Sequence, residues 1–442
     1  MGWTRGMAAV AALFVAYAAL YWAYVIAIEM PFVAQVSYFA GSCSFICMAL
    51  GLLLAARPRV VESSFGGLDR MYQLHKYLGV AALLLFIAHY ATVPGGPEGD
   101  AAAASGVSAE GDQAAPPADG SAVREEEDLP IDLFGLVAMI GFTLLIVISL
   151  NRKIPYHRWL TTHRFMGLFF AIVSIHVFLV LYDGQEIPFL SAPGMALALL
   201  LLLGLAAYAY KRLVYPWREQ HAFTLAEVNR LERATEVVLK PKGRMFPFEP
   251  GQFAFITIDA DGFQEAHPFT IASGANENRL RFAMKVLGDY TRRVRDELTA
   301  GADVDIEGPY GRFNPLKGSN KQVWVAGGIG ITPFLSVLRT MSPGHGRTVR
   351  LYYCVRTARE ALFFSELERR AASLGGVTIM RFDSEAGARI SAQFINDDLG
   401  GALGDWSYYC CGPQSLVAAV SEGLTKHGVP AGCIHREEFE LR

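Results

Sequence analysis

The sequence predicts a multi-domain membrane protein: a six-helix transmembrane bundle, then a small antiparallel β-barrel, then a parallel α/β domain. Three observations carry this. The chain has 442 residues, enough for three domains at roughly 150 residues each. Charge is scarce and uneven, because residues 1–218 hold only 28 of the 81 Asp, Glu, Lys and Arg side chains. The apolar patterning also changes twice, near residue 222 from long runs to short alternating ones and near residue 322 to strands followed by helices. With 52% hydrophobic residues and a net charge of −3, a disordered chain is excluded and nothing points to nucleic acid.

The spans follow from length. Crossing a bilayer core takes about 20 apolar residues. Met7–Ile28 and Phe32–Ala56 are uncharged throughout, and Tyr77–Val93, Leu133–Leu150, Phe165–Tyr182 and Ile187–Tyr210 complete six. The first run exceeds the roughly 7–15 apolar residues of a signal peptide and lacks a small-residue cleavage site, so it is expected to stay as a helix. With the N-terminus inside, twelve basic residues of the short loops, among them Arg57, Arg70, Lys76, Arg158 and Arg164, face the cytoplasm, and only Arg124 lies outside. The expectation is a multi-pass protein of the cytoplasmic (inner) membrane, surrounded by lipid, with both termini and the soluble half in the cytoplasm. The outer loop, residues 94–130, holds nine acidic residues and one basic one among Ala, Gly and Pro. Such a composition cannot bury a core, and a disordered, solvated spacer is expected.

Ionisable side chains inside a bilayer are costly and usually functional. Four histidines stand in or at the ends of two spans: His75 and His89 on the third, His163 and His176 on the fifth. Spacings of 14 and 13 residues separate each pair by about 20 Å along its helix. Both helices run from inside to outside, so His75 levels with His163 and His89 with His176. Neutral imidazole can hold haem iron from either side. Two facing pairs at two depths would therefore bind two b-type haems, one near each membrane face. A spacing of 14 returns nearly to the same helix face; a spacing of 13 falls about 140° away, so the fifth span is expected to bulge, bend or tilt. A histidine proton relay is the other candidate role, but it does not require this pairing. Phe86, Phe169 and Phe170 lie between the two levels, where packing is the expected role and assistance to electron transfer the alternative.

In the soluble half, Phe223–Glu227, Thr235–Lys240, Gln252–Ile258, Arg279–Val286 and Asp303–Glu307 alternate between Gly and Pro punctuation, as in a small barrel. Beyond residue 322, strands followed by helices give a parallel α/β unit. The expected domains are 1–218, 219–318 and 319–442. His267-Pro268-Phe269-Thr270 opens a strand, and Lys285 with Gly288-Asp289-Tyr290-Thr291 precedes a helix. Gly308-Pro309-Tyr310-Gly311 lies near the end of the barrel region, and Val325-Ala326-Gly327-Gly328-Ile329-Gly330-Ile331-Thr332-Pro333 runs from a buried strand through glycines into a helix. Glycines there let backbone approach a pyrophosphate, and Pro333 can start the helix. Cys411-Gly412-Pro413 follows the strand Tyr408–Cys411.

This string of motifs resembles the NADPH oxidase and ferric reductase superfamily, whose soluble half is similar to ferredoxin–NADP reductase. The resemblance covers nearly the whole chain, including the histidine spacing; the outer loop is the main part without a counterpart. It implies FAD in the barrel and NADPH in the α/β domain, with NADH possible. It sets His267, Pro268, Phe269 and Thr270 beside the flavin ring. Lys285, Gly288 and Thr291 fall by the diphosphate, which a helix N-terminus favours. Gly308 marks the junction of the two subdomains. Gly327, Gly328, Gly330, Thr332 and Pro333 form the nucleotide loop, with Arg356, and Arg389 as a further candidate, at the adenosine end. Cys411, Gly412 and Pro413 stand where nicotinamide meets flavin, and Phe439 matches the aromatic that covers the flavin until nicotinamide displaces it. Cys411 and Phe439 are thus expected at the reacting atoms, with small size and ordinary packing as their respective alternatives.

The six cysteines, at 43, 47, 354, 410, 411 and 433, show no iron–sulfur spacing. The expected activity is that of an NAD(P)H-dependent flavocytochrome b reductase, passing electrons through FAD and two haems to a small-molecule acceptor outside. Val93 stands one turn after His89, and the outer part of the second span offers Gln35, Ser37 and Ser42 but no Arg. This departs from the basic surroundings associated with oxygen reduction in NADPH oxidases, so ferric chelates are the first expectation and oxygen the second. An electron-relay subunit docking a periplasmic protein partner through the acidic loop is a third reading. A colourless transporter with a regulatory nucleotide domain is a fourth.

Overall fold

The computed structural model describes residues 4–93, 131–151, 153–154, 156–183, 187–215 and 221–437. The expectations for the acidic loop and for Phe439 lie outside the described residues. The described residues form two compact units, one of 4–65 and the described part of 70–215, the other of 66–69 and 221–437.

In the membrane half, six helical stretches are long and apolar enough to cross a bilayer. They are α1 (Arg5–Ala27), α2 (Phe32–Ala55), α4 (Leu68–Thr92), α5 (Ile131–Leu150), the consecutive pair α6 (Tyr156–His163) and α7 (Met166–Asp183), and α8 (Ala192–Ala209). A short helix that the apolar pattern did not announce, α3 (Arg59–Phe65), connects α2 to α4. Polar caps set two of the starts: Thr4 Oγ1 accepts from the Met7 N–H, and Ser191 Oγ accepts from the Gly194 N–H with Pro193 in the first turn. Outward side chains such as Leu144 and Leu202 are about 60% exposed, an apolar surface that suits lipid rather than water.

Helices α2 and α4 are antiparallel in a constant register. Ser37 bonds His89, Ser44 Oγ donates to the Ala82 carbonyl at 2.8 Å, and Gly51 bonds His75. Each step is seven residues on both helices, close to two turns, so all three contacts fall on one seam. The fifth span is interrupted between α6 and α7. Phe165 N–H bonds the Thr162 carbonyl and Leu168 N–H the Phe165 carbonyl, both at 3.0 Å. These i→i+3 bonds tighten the chain at Arg164–Phe165, directly after His163. The fifth span, expected to bulge, bend or tilt, is thus broken into two consecutive helices just after His163.

The soluble half begins with six strands: β1 (His221–Arg230), β2 (Ala234–Pro241), β3 (Phe253–Asp259), β4 (His267–Thr270), β5 (Leu280–Lys285) and β6 (Asp303–Tyr310). They pair antiparallel in the order β4-β3-β6-β1-β2-β5, and a bridge from Ile271 to Phe282 links the two ends into a nearly closed barrel. Inward residues alternate along the strands, so Val237, Leu239, Ile256, Phe282 and Ile306 fill the interior. Helix α9 (Asp289–Asp296) buries Tyr290 and Val294 against this core.

The second part is a five-stranded parallel sheet, β7 (Lys321–Gly327), β8 (Thr348–Val355), β9 (Val377–Asp383), β10 (Ser407–Cys411) and β11 (Ile434–Glu437), in the order β11-β10-β7-β8-β9. Helices α10 (Thr332–Thr340), α11 (Phe364–Leu374), α12 (Ala392–Asp398) and α13 (Gln414–Lys426) follow its strands. The central strands are apolar on both faces, with Trp324, Tyr352, Tyr353 and Tyr408 fully buried. From β7 the chain proceeds to β8 and β9 on one side and then to β10 and β11 on the other. The switch point therefore falls between the C-terminal ends of β7 and β10, where open parallel sheets bind their ligands.

Candidate functional site

The four membrane histidines share one arrangement. His75 Nδ1 lies 3.0 Å from the Gly51 carbonyl, His89 Nδ1 2.9 Å from the Ser37 carbonyl, and His176 Nδ1 2.9 Å from the Ile131 carbonyl. A carbonyl only accepts, so each of these rings carries its proton on Nδ1. His163 Nδ1 lies 3.1 Å from Ser149 Oγ, whose own hydrogen goes to the Leu145 carbonyl at 2.7 Å; Ser149 therefore accepts from His163. In all four rings Nε2 is left as the lone-pair nitrogen, the state of a metal-ligating histidine whose other nitrogen is held by an outer partner.

The His75 and His163 rings stand 6.0 Å apart at 70°. His89 lies within electrostatic range of His176. Three glycines stand beside the rings: a Cβ on Gly41 would fall 3.0 Å from His89, one on Gly135 3.2 Å from His176, and one on Gly51 3.7 Å from His75. This donor set fits haem: neutral imidazoles, Nδ1 anchored, with glycines at 41 and 135 where a Cβ would crowd the rings. Between the levels, Phe86 and Phe170 are buried, and Phe170 stacks on Phe45 at 5.3 Å. The anchoring carbonyls, Ser149 and Phe45 were not found by sequence reasoning; a main-chain acceptor leaves no residue signature.

In the barrel, the flavin-like motifs converge. His267 packs on Tyr290 with ring centroids 3.8 Å apart, and its Nε2 is 3.2 Å from Glu265. Burial lowers the His267 pKa below 6.5, against the opposing pull of Glu265. Phe253 of β3 is the cross-strand partner of both Thr270 and Tyr310, which brings the first motif beside Gly308–Gly311. Thr270 is 5% exposed, and its Oγ1 is buried without a hydrogen-bond partner, as is the Tyr290 hydroxyl. Unpaired buried hydroxyls are costly, and they fit a polar ring system such as flavin. Lys285 is half-buried at the end of β5, and Gly288 caps α9. Thr291 Oγ1 accepts from the N–H groups of Leu287 and Gly288 at 3.0 and 3.2 Å. Its role in the chain is thus to hold the turn that presents the helix N-terminus.

The two glycine motifs of the α/β part meet at the switch point. A Cβ on Gly412 would fall 2.8 Å from Gly327 Cα, and one on Gly330 would collide with the Cys411 carbonyl. Gly328 has φ +54 with open space on its Cβ side, a conformation that suits glycine. Thr332 Oγ1 donates to the Ile329 carbonyl at 3.0 Å, and Pro333 stands in the first turn of α10. The Cys411 thiol is fully buried, and burial pushes its pKa well up. What position 411 presents to Gly330 is main chain, its carbonyl carbon and oxygen. Glu437, which sequence reasoning passed over, is buried and pairs with Cys411 across β10 and β11. Arg356 follows β8, is largely exposed, and pairs with Glu385 at 2.8 Å; Arg389 is exposed.

Comparison with known proteins gives three domain matches: the ferric reductase like transmembrane component over residues 40–186, the FAD-binding domain over 219–314 and the oxidoreductase NAD-binding domain over 324–422. Among curated relatives, the propane 2-monooxygenase reductase component of Rhodococcus jostii is 28% identical, over 48% of this chain and 62% of its own length. The phthalate 4,5-dioxygenase oxygenase reductase subunit of Pseudomonas putida is 30% identical, over 45% and 60%. The chain thus spans about 60% of the length of these relatives. A solved flavohemoglobin from Malassezia yamatoensis is 19% identical, covering 92% of this chain and 97% of its own, with TM-score 0.50, a likeness of fold alone. A transmembrane component, a FAD-binding domain and an NAD-binding domain follow one another in this order, which is the architecture of the ferric reductase and NADPH oxidase superfamily.

Proposed function

We propose that the chain takes electrons from NADPH, with NADH as the other candidate donor, on the cytoplasmic side and delivers them to a small-molecule acceptor outside, ferric chelates first. The observation that supports it most is the shared anchoring of four histidines through Nδ1. A proton relay needs its imidazoles to exchange tautomers, whereas these bonds hold one tautomer in every ring. When bound, FAD supplies two-electron acceptance from nicotinamide and the haems supply one-electron transfer.

The protein's own part is placement. His75 with His163, and His89 with His176, would hold the two haems. Thr270 offers its hydroxyl to the flavin ring, and the turn at Gly288 presents a helix N-terminus to the diphosphate. Gly327, Gly328, Gly330 and Gly412 let main chain approach the nucleotide, with Thr332 and Pro333 starting the helix behind it and Arg356 at the adenosine end. Cys411 and Pro413 shape the turn facing the flavin, and Phe439 would cover the flavin ring between turnovers. The domains are taken as 1–218, 219–318 and 319–442, with both termini in the cytoplasm.

The described partners of His89 favour ferric chelates over oxygen: Ser37, Tyr38 and Thr92 are neutral. No basic group among them would hold a developing superoxide anion. An oxygen-reducing oxidase remains the second reading on the strength of the shared architecture.

A reduced-minus-oxidised spectrum of the purified full chain tests the core of this. A b-type haem spectrum is expected, reduced in content by replacing either histidine of a pair; a colourless protein would overturn it. Mixing the NADPH-reduced protein with ferric citrate or with oxygen then tests the acceptor. Faster reoxidation by oxygen would sink the ferric reading.

A further inference from the structure

We propose that Arg339 is the positioning residue that holds the nucleotide loop in register with the flavin strand. This rests on the hydride-transfer part of the function above and not on the haems. Helix α10 starts in the Thr332–Pro333 motif. Ser336, Arg339 and Thr340, at i, i+3 and i+4, share one face of it. Each bonds the main chain of a barrel segment that begins two residues after Thr270. Ser336 Oγ donates to the Ser273 carbonyl at 2.6 Å, Arg339 Nη1 donates to the Ala272 carbonyl at 2.9 Å, and Thr340 Oγ1 accepts from the Ala275 N–H at 2.9 Å. One helix of nine residues, about 13 Å long, therefore joins the nucleotide glycines to the chain leaving the flavin strand.

Arg339 is 5% exposed and ties in two further elements. Its Nε and Nη2 donate to both oxygens of Glu366 in α11, each at 2.8 Å, and Nη2 lies 3.6 Å from Glu236 in β2. Glu236 also accepts from Asn229 at 3.1 Å and from Arg281 at 3.4 Å. A planar fork serves a carbonyl and a bidentate carboxylate together, which an ammonium cannot do. Buried ion pairs seldom add stability over well-packed apolar residues, so the geometry they impose is the better account of this one. Gly274 shows how close the approach is: a Cβ there would fall 2.9 Å from the Arg339 carbonyl.

The test uses the full-length, FAD-loaded protein with Arg339→Lys, Glu366→Gln and Gly274→Ala. Flavin bleaching by NADPH is followed by anaerobic rapid mixing, together with FAD content, NADP+ affinity from flavin difference spectra, and the long-wavelength charge-transfer absorbance of nucleotide on flavin. Expected are full FAD content and near-normal NADP+ affinity, with bleaching slowed at least about tenfold and the charge-transfer band lost. Bleaching at the wild-type rate overturns the proposal. So does a slowing that merely tracks lost FAD or lost nucleotide affinity, the mark of a general structural role. Should Arg339→Lys fail to fold, Gly274→Ala, which removes no charge, decides on the same readouts. Wild-type protein that NADPH does not bleach would overturn the underlying function, and the proposal with it.

Discussion

Replacing Gly330 by Ala tests whether the two glycine loops at the switch point must touch. The new Cβ would land on the Cys411 carbonyl, 2.6 Å from its carbon and 2.8 Å from the Gly412 nitrogen. These are main-chain atoms at the end of β10, which is paired with β7 on one side and β11 on the other. They cannot swing aside as a side chain would. Comfortable non-bonded contact begins near ~3.5 Å, so the loops must part by about 1 Å. Overpacking of this kind typically costs ~1–3 kcal/mol. Felt wholly in the docking of nicotinamide on flavin, that lowers the hydride-transfer rate about 5- to 150-fold. The assay is anaerobic stopped-flow bleaching of FAD by NADPH, with melting temperature and FAD content measured alongside. Gly404→Ala is the control, since its Cβ meets nothing within 4 Å, and it should behave as wild type. A Gly330→Ala protein with an unchanged rate, or a Gly404→Ala protein slowed equally, would refute the reasoning.

Gly41→Ala places a methyl 3.0 Å from the His89 ring, which must turn away from Ser37; haem content by pyridine haemochromogen should fall toward one per chain, and an unchanged content would count against the pairing. Ser149→Ala removes the described acceptor of the His163 Nδ1 proton, which weakens ligand basicity. One haem should rise in midpoint potential at unchanged content, and a potentiometric titration superimposing on wild type would disprove it. Burial holds the His267 pKa below 6.5, so the folded chain binds fewer protons there than the unfolded one. Its contribution is present above the unfolded value and is lost as pH falls below about 6.5. Melting temperature should therefore fall on mild acidification, and His267→Gln should flatten that dependence; an identical pH profile in the variant would exclude His267 as the cause.

What the sequence made legible was whatever a strong local constraint had written into it. A bilayer demands length, so six spans could be counted. The 13-residue spacing called for some irregularity in the fifth span, a bulge, a bend or a tilt, but not for a helix break at Arg164–Phe165, because two i→i+3 bonds leave no mark in composition. Glycine motifs announced the nucleotide loops, since close backbone approach excludes other residues. That Gly327 meets Gly412 depends on β7 and β10 being neighbours, a property of the sheet order. Arg339 and Glu437 gave no signal because a buried charge is recognised only by its partners, which come from distant strands and helices. Cys411 was legible as part of a motif, but the burial of its thiol was not.

The two halves fix geometry by different means, and this separates their failures. Within lipid there is no water to satisfy an imidazole N–H, so the chain itself must supply an acceptor. It does so on α2 with the second lone pairs of helix carbonyls, at Ser37 and Gly51. Because those contacts recur every seven residues on both α2 and α4, a one-residue slip would turn His75 and His89 about 100° off their seam together. The histidine positions are thus determined jointly, and damage there should remove a cofactor. In the soluble half the decisive contacts are glycine against glycine and the fork of Arg339, neither of which holds FAD in its barrel. Damage there should leave the chain coloured but slow. A variant that loses colour while retaining fast flavin reduction, and another that retains colour while losing it, would show that ligand anchoring and hydride geometry are independent properties of one chain.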